Sequence, residues 1–161
     1  MAKFEFQGID EYIAELQKLE KETSSAIGKA IYNGAGLVAD EVRGAILQLP
    51  EDSRWFVKDG MRSGLHPKQK EGLINGLGIA KMENKNGFVN VKIGFNGYND
   101  IVSYRWPQGQ PNVMVARATE SGTSFLPKYG FISKAIRNSK NQCKKIMQLT
   151  IDEEIQRITN D

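Results

Sequence analysis

The segment from Val115 to Phe125, VARATESGTSF, gathers hydroxyl and carboxylate side chains around Gly122. A serine nucleophile needs a base within hydrogen-bond reach and usually a third group that orients this base. The only histidine, His66, lies in the polar segment GLHPKQK, where a solvated side chain is expected. Neither Ser121 nor Ser124 has the G-x-S-x-G context of a nucleophile elbow. We therefore expect no hydrolase chemistry at this segment.

Other catalytic or ligand-binding patterns are also missing from the sequence. The carboxylates of Asp152–Glu154 are consecutive on a predicted helix and point in different directions, unlike metal ligands spaced by three or four residues. Cys143 has no partner cysteine for a disulfide or a zinc site and is predicted to be a small apolar filler on a helix. The glycine-rich GLINGLGIA has neither a preceding strand nor a following Gly-Lys-Ser/Thr. We predict a non-enzymatic protein without cofactor or metal.

The length of 161 residues, with 40% hydrophobic and 25% charged residues, predicts one soluble globular domain spanning residues 1–161. Nothing resembles a signal peptide or an apolar span of about 18 residues, so we expect a cytoplasmic protein without membrane contact. The net charge is unevenly distributed: residues 1–60 carry seven Lys/Arg and eleven Asp/Glu, whereas the remainder carries fifteen and eight. Such asymmetry favours head-to-tail contact with copies or partners, with an unevenly solvated surface as the alternative.

The N-terminal third is predicted to be mainly helical. Alternation from Lys3 to Phe6 indicates a short strand, after which Asp10 can cap a helix. Thr23–Ser25 marks a break before a second helix, from about Ser24 to Gln48, which Pro50 ends. Glycines at positions 28, 34, 36 and 44 of this helix predict close approach of another backbone. Its apolar stripe comprises Ile27, Ile31, Gly34, Val38, Val42, Ala45 and Leu49.

The middle of the chain is predicted to hold a long loop and a hairpin. Residues 51–69 show neither helical nor strand periodicity and are predicted to form an exposed loop. Trp55 and Phe56 in this loop are candidates for contact with a partner. GLINGLG then forms about one helical turn. IAKME, the turn NKNG and FVNVKIGF form a hairpin with one buried side, followed by a third strand near Ile101–Trp106. The hairpin's apolar face comprises Val89, Val91, Ile93 and Phe95.

Two helices are predicted to complete the fold. Pro111 and Asn112 open a short helix that Gly122 ends through a left-handed C-cap, and a long amphipathic helix follows Pro127. We predict an α+β fold in which two long helices cover one face of a small antiparallel sheet, in the order β-α-β-β-(β)-α. The last helix has a basic side that could contact phosphates or an acidic neighbour, or remain solvated. This basic face comprises Lys134, Arg137, Lys140, Lys144 and Lys145.

VARATESGTSF therefore straddles the end of a helix and is better interpreted as a joint than as an active site. Its carboxylate and hydroxyl groups offer acceptors to backbone donors of their own turn or to a neighbouring subunit. Both alternatives stay open at the level of sequence. The subunit-interface candidates in this joint are Arg117, Glu120, Ser121 and Thr123.

Several ordered blocks resemble a family of tail-component or neck proteins, which join heads to tails in long-tailed bacteriophages and Gram-positive prophages. The blocks are GLINGLGIAKMENKNGFVNVKIGFNGYND, WPQGQPN, VARATESGTSF and FISKAIRNS, preceded by FQGIDEYIAELQKLE and AIYNGAGLVADEV. They cover most of the chain, from about Phe4 to Ser139. The chain departs from the family pattern in two places. One is the Tyr129–Phe131 segment, where relatives commonly show Pro-Phe, and the other is the aromatic pair Trp55 and Phe56.

The resemblance implies a virion protein at the head-tail junction, acting as a neck, tail-completion or tail-terminator subunit in a closed ring of copies. Its implied partners are other copies and phage connector or tail proteins, first in the host cytoplasm and then in the virion tail or neck. It implies no cofactor. A DNA-contacting adaptor that uses the basic face against packaged DNA is the alternative function.

Overall fold

A computed structural model describes residues 9–54, 60–86 and 88–160, with side chains from residue 14 onward. These residues form long helices packed on a small set of antiparallel strands, which confirms the predicted α+β class. The predicted strand Lys3–Phe6 lies outside the described residues. The elements are α1 (Ile9–Leu47), α2 (Pro67–Gly76), β1 (Leu77–Ile79), β2 (Glu83–Lys85), β3 (Phe88–Asn90), β4 (Ile93–Phe95), α3 (Asn112–Ser121) and α4 (Phe131–Asn160).

Helix α1 is continuous, so the predicted break at Thr23–Ser25 is wrong. The hydroxyl of Thr23 donates to the carbonyl oxygen of Leu19 at 2.8 Å, one turn earlier, and this bond keeps the polar side chain within the helix. The helix ends at Leu47, close to the predicted end at Gln48 and before Pro50. A proline there cannot extend the ladder of helical hydrogen bonds.

Helices α1 and α4 pack side by side in antiparallel orientation. The ammonium group of Lys29 lies 2.8 Å from Glu154 Oε1, and the amide of Asn33 donates to the Thr150 hydroxyl at 3.0 Å. These contacts place the end of α4 opposite about residue 23 of α1. Residues 9–22 of α1 therefore extend about 21 Å beyond α4, at 1.5 Å per residue.

The buried face of α1 is rotated from the predicted stripe in its first half. Ile27 is 39% exposed, whereas Ala26 and Ala30 are buried. Gly34 is buried, as predicted. A Cβ on Gly34 would lie 2.8 Å from Met147 Cγ, so a small residue is required where α4 approaches. The predicted approach of a backbone is wrong here, because side chains of α4 fill the space. Around Gly36 there is open space instead.

The predicted hairpin is present between residues 77 and 95. Strand β1 pairs with β4 and β2 pairs with β3, both antiparallel. The two ladders are joined by three residues on the first arm, between Ile79 and Glu83, and by two on the second, between Asn90 and Ile93. One extra residue on one arm is the signature of a β-bulge. The predicted apolar positions 89, 91, 93 and 95 are each half-buried and alternate with exposed ones, as expected.

The third strand predicted near Ile101–Trp106 is wrong. Ser103 and Trp106 exchange backbone hydrogen bonds of 3.1 and 3.0 Å, which close a turn instead of a ladder. The Asn99 side chain also accepts from the backbone nitrogen of Ile101 at 3.0 Å. These local bonds satisfy backbone groups that a strand would have to pair with another segment.

The segment predicted as an exposed loop at 51–69 is partly buried and ends in a helix. Helix α2 begins at Pro67, and His66 is its N-cap, with Nδ1 accepting from the backbone nitrogen of Lys68 at 3.2 Å. Gln69 completes a capping box with His66. Leu65 is only 1% exposed. His66 therefore has a structural role as a helix cap, and its half-buried side chain is only partly solvated.

The main hydrophobic core lies where the end of α1 and the start of α4 meet α2, α3 and the β1–β4 ladder. Val42 and Ile46 reach it from α1, Leu49 from the segment just after α1, and Phe131 from α4. The ring centroid of Phe131 lies 6.3 Å from that of Phe95 in β4. This core sets the positions of the two ends of the α3–α4 joint.

Candidate functional site

The joint between α3 and α4 brings together most of the residues predicted as an interface. Helix α3 ends at Ser121, followed by Gly122 with φ 79° and ψ 164°. The positive φ agrees with the predicted glycine stop, but the ψ is extended, so the predicted left-handed C-cap is wrong in detail. A Cβ at Gly122 would lie 2.9 Å from the Lys128 nitrogen, which gives a second reason for glycine.

Glu120 caps the following helix across the joint. Its carboxylate accepts from the backbone nitrogen atoms of Ile132 at 2.8 Å and Ser133 at 3.2 Å, and from the Ser133 hydroxyl. These two amides belong to the first turn of α4, where helical N–H groups have no partner within the helix. In return, the carbonyl oxygens of Thr119 and Glu120 accept from Tyr129 and Gly130. The end of α3 and the segment that begins α4 therefore satisfy each other's backbone hydrogen-bonding groups.

The electrostatics of the joint favour a charged Glu120. Burial alone would raise the pKa of this carboxyl group, but hydrogen bonds from Ser133 and Ile132, together with the charge of Lys128, lower it below its ordinary value. The positive end of the α4 dipole acts in the same direction. Glu120 is therefore negatively charged at neutral pH, and groups of the same chain stabilise this charge.

Thr123 also acts within its own turn. Its hydroxyl accepts from the backbone nitrogen of Leu126 at 3.1 Å, and its backbone nitrogen donates to the Leu126 carbonyl at 2.8 Å. The side chain of Thr119 donates to Val115 one turn earlier. The turn thus satisfies its own polar groups, which is one of the two alternatives that the sequence left open.

The remaining interface candidates are two residues of α3 and two residues outside the described ranges. Arg117 and Ser121 are exposed on α3. Trp55 and Phe56 lie outside the described residues, so their role stays a prediction. Contact between subunits at these four positions, and at Glu120 and Thr123, stays a prediction as well.

The basic face of α4 is exposed along its full length. All five of its cations project into solvent, and residues 131–151 contain no aspartate or glutamate. Acidic residues begin at Asp152, and Glu154 is paired with Lys29 and Arg157. The hydrogen bond from Lys29 lowers the pKa of Glu154, and the charge of Arg157 lowers it further, whereas burial opposes both effects. The helix therefore has a basic half and an acidic end.

A network around Asp52 was missed at the level of sequence. The Asp52 carboxylate accepts from the Arg54 guanidinium at 2.8 and 2.9 Å and from the Ser63 backbone at 3.0 Å, and these bonds hold its pKa well below the usual range. Arg62 donates to the Asp52 carbonyl at 2.9 Å, and the Tyr129 hydroxyl donates to the Ser63 carbonyl at 2.8 Å. The network ties residues 50–54 to residues 60–65 and to the joint. No local sequence pattern signals it.

The comparisons with known proteins gave no match: no family model, no curated protein and no solved structure is similar to this chain. Within residues 9–54, 60–86 and 88–160, no helix combines the length and the apolar character needed to cross a membrane. In the same residues, no group of three or more His, Cys, Asp or Glu side chains is placed to hold a metal ion.

Proposed function

We propose that this chain is a non-enzymatic structural subunit of a tailed phage or prophage, acting at the head-tail junction as a neck, tail-completion or tail-terminator subunit. It would assemble with copies of itself into a ring in the host cytoplasm and remain in the virion tail or neck. The ordered blocks that resemble phage tail-component and neck proteins support this assignment. One structural observation supports the ring, namely the opposite charge at the two ends of the α1–α4 pair.

The distal end of the α1–α4 pair consists of residues 9–31 of α1 and 152–160 of α4. It carries eight acidic and four basic residues, hence a net charge of −4. The proximal end consists of residues 32–47 and 131–151. It carries two acidic and six basic residues, hence +4. Because the two ends differ, electrostatic attraction favours the distal end of one copy against the proximal end of the next.

The distal end also exposes apolar side chains. Leu16 and Leu19, which are 47% and 51% exposed, lie on the part of α1 that extends beyond α4. Ile155, which is 49% exposed, lies on the α4 side of the same end. Apolar groups clustered on an otherwise charged helix pair are typical of an interaction surface. A contact between two different surfaces of the same chain is heterologous, and such contacts generate closed rings when the rotation closes.

Charge reversal tests the ring directly. In sedimentation velocity at low salt, the parent chain should form one oligomer of defined size. Lys140→Glu combined with Lys144→Glu should dissociate it. Adding Glu15→Lys and Glu20→Lys to that variant should restore assembly, because the signs of the charges at these four positions are then exchanged between the two surfaces. Lys68→Glu with Lys81→Glu is the matched control, since both lysines are exposed elsewhere and the charge change is equal. A monomeric parent chain, or a basic-face variant that assembles like the control, would overturn the ring.

The virion role needs a genetic test. Deleting the gene from the phage or prophage genome that encodes it should yield filled heads and unattached or irregular tails in electron micrographs. Complementation with the parent chain should restore complete particles, and complementation with the basic-face variant should not. Complete infectious particles without the gene would contradict the proposal.

A DNA-contacting adaptor is the second candidate function, and the uninterrupted basic face of α4 is the observation that favours it. Neutralising one phosphate-contacting lysine should reduce the slope of log K against log salt by about one unit. Lys140→Gln is a suitable variant, with Lys68→Gln as its control. If the parent and the variant bind a random-sequence duplex equally weakly, this candidate is excluded.

A further inference from the structure

We propose that the chain contains a binding pocket for a carboxylate carried on an apolar body, an inference that does not depend on the proposed virion function. The pocket encloses about 320 Å³ between α2, α3 and the segments around residues 62, 106 and 125. This volume is near the lower end of small-molecule sites, roughly 300–1,000 Å³. Its apolar walls include Leu65, Met114, Val115, Ala118, Phe125 and Leu126.

Arg62 places a buried cation at this pocket. The residue is only 9% exposed, its Nη2 donates to the Asp52 carbonyl at 2.9 Å, and its Nε is buried without a hydrogen-bond partner. None of the ion pairs formed among the described residues involves Arg62. The nearby Asp52 carboxylate is occupied by Arg54 and Ser63. A guanidinium group stays charged at any physiological pH, so this cation is buried with an incomplete set of partners.

The other polar residues of the lining are a second cation, two amides and Thr123. The guanidinium carbon of Arg105 lies 5.6 Å from the centroid of the Trp106 ring, so this cation is held against an aromatic wall of the pocket. Gln69 donates to Gln110 at 2.7 Å on the same lining. Among the described residues that line the pocket, none is acidic.

This combination favours one class of ligand. The planar guanidinium fork matches a carboxylate, and charge-assisted hydrogen bonds of this kind are stronger than neutral ones. The aromatic and aliphatic walls require an apolar body beside the anionic group, because a small hydrated anion would leave them without contact. A cationic ligand would meet two arginines. An aromatic or branched monocarboxylate satisfies both requirements.

Fluorescence of Trp106 can report the binding. Trp55→Phe leaves Trp106 as the single tryptophan, and the variant's circular dichroism should match that of the parent. Titration with phenylacetate should then give a saturable change. The neutral isostere phenylacetamide tests the charge, and acetate tests the apolar body; each should bind at least about tenfold more weakly. Equal binding of phenylacetamide, or no saturable signal with phenylacetate, would overturn the proposal.

Variants separate recognition from folding. Arg62→Met should abolish the preference for phenylacetate over phenylacetamide, but a buried residue is a risk for folding. Arg105→Gln, at an exposed position, should weaken phenylacetate binding several-fold without a change in melting temperature. Ala118→Met should fill the pocket and block both ligands. Val113→Met, at an exposed site of the same helix, is its matched control. Unchanged affinity in both Arg105→Gln and Ala118→Met would overturn the site.

The same chemistry could come from a free acid or from the end of a peptide chain. To distinguish these two sources, the affinity for phenylacetate is compared with that for a short acetylated peptide that ends in phenylalanine with a free carboxylate. Tighter binding of the peptide would assign the site to a chain terminus, and tighter binding of phenylacetate would assign it to a free acid. Equally tight binding of the amidated peptide would overturn carboxylate recognition.

Discussion

The carboxylate of Glu120, at the end of α3, lies 2.8 Å from the backbone nitrogen of Ile132 in the first turn of α4. The two residues are twelve positions apart, and the bond makes Glu120 the cap of a helix to which it does not belong. Since the adjacent carbonyl groups of α3 accept from Tyr129 and Gly130, the connection is fixed at both ends. The angle between α3 and α4 is therefore set by hydrogen bonds as well as by the core.

Removing this cap should weaken folding. Glu120→Ala leaves two amides of α4 without their acceptor, and the loss of a helix cap typically costs about 1 kcal/mol. Urea denaturation should show a lower midpoint with an unchanged slope. Glu71→Ala, at an exposed position of α2, is the control and should change stability by less than about 0.5 kcal/mol. If the two variants unfold alike, the Glu120 cap does not stabilise the joint.

Stability should depend on pH through Asp52 and Glu120. Hydrogen bonds lower the pKa of each carboxyl group in the folded chain, below ordinary values of 3.8 and 4.5. A lowered folded pKa adds stability that is complete above the unfolded pKa and is lost as pH falls through the folded value. The free energy of unfolding should therefore be level from neutral pH to about 5 and then decrease. Asp52→Asn should be less stable at neutral pH, and its deficit should shrink in acid; a constant deficit would contradict this linkage.

Val42 tests the orientation of α1 in the core. It is 3% exposed, so Val42→Asp would bury a charge without a partner and should cost about 4 kcal/mol or more. Val113→Asp makes the same change on α3, where the side chain is 51% exposed, and should be tolerated. Thermal unfolding monitored by circular dichroism compares the two. A similar melting temperature for both variants would mean that the buried face of α1 is assigned incorrectly.

Two glycines of α1 should respond in opposite directions. Gly36 has open space around its Cα, so Gly36→Ala should stabilise the chain by about 0.5–1 kcal/mol through helix propensity. Gly34→Ala would place a methyl group 2.8 Å from Met147 Cγ and 3.0 Å from Cys143 Sγ, so these side chains or α4 itself would have to shift. We expect a net loss of stability at Gly34. A gain in melting temperature at both positions would show that α1 and α4 are not in close contact there.

Local sequence patterns predicted the elements whose hydrogen bonds are local. The end of α1 before Pro50, the short helix between Pro111 and Gly122, and the long C-terminal helix were found because capping and periodicity act within a few residues. The alternation from Val89 to Phe95 was found because one face of a hairpin is more buried than the other. His66 could also have been found as a cap, since Pro67 and Gln69 follow it at the spacing of a capping box.

The sequence by itself determined the α+β class, the hairpin and the absence of a recognisable nucleophile–base pattern around Ser121. Only the tertiary structure decided which residues the carboxylates of Asp52 and Glu120 would meet, since their partners lie up to 13 positions away. The same holds for Arg62, which is buried although its segment looks like an exposed loop. Periodicity and capping report interactions within one or two turns, whereas these partners are chosen by the way α1, α3 and α4 pack around a common core.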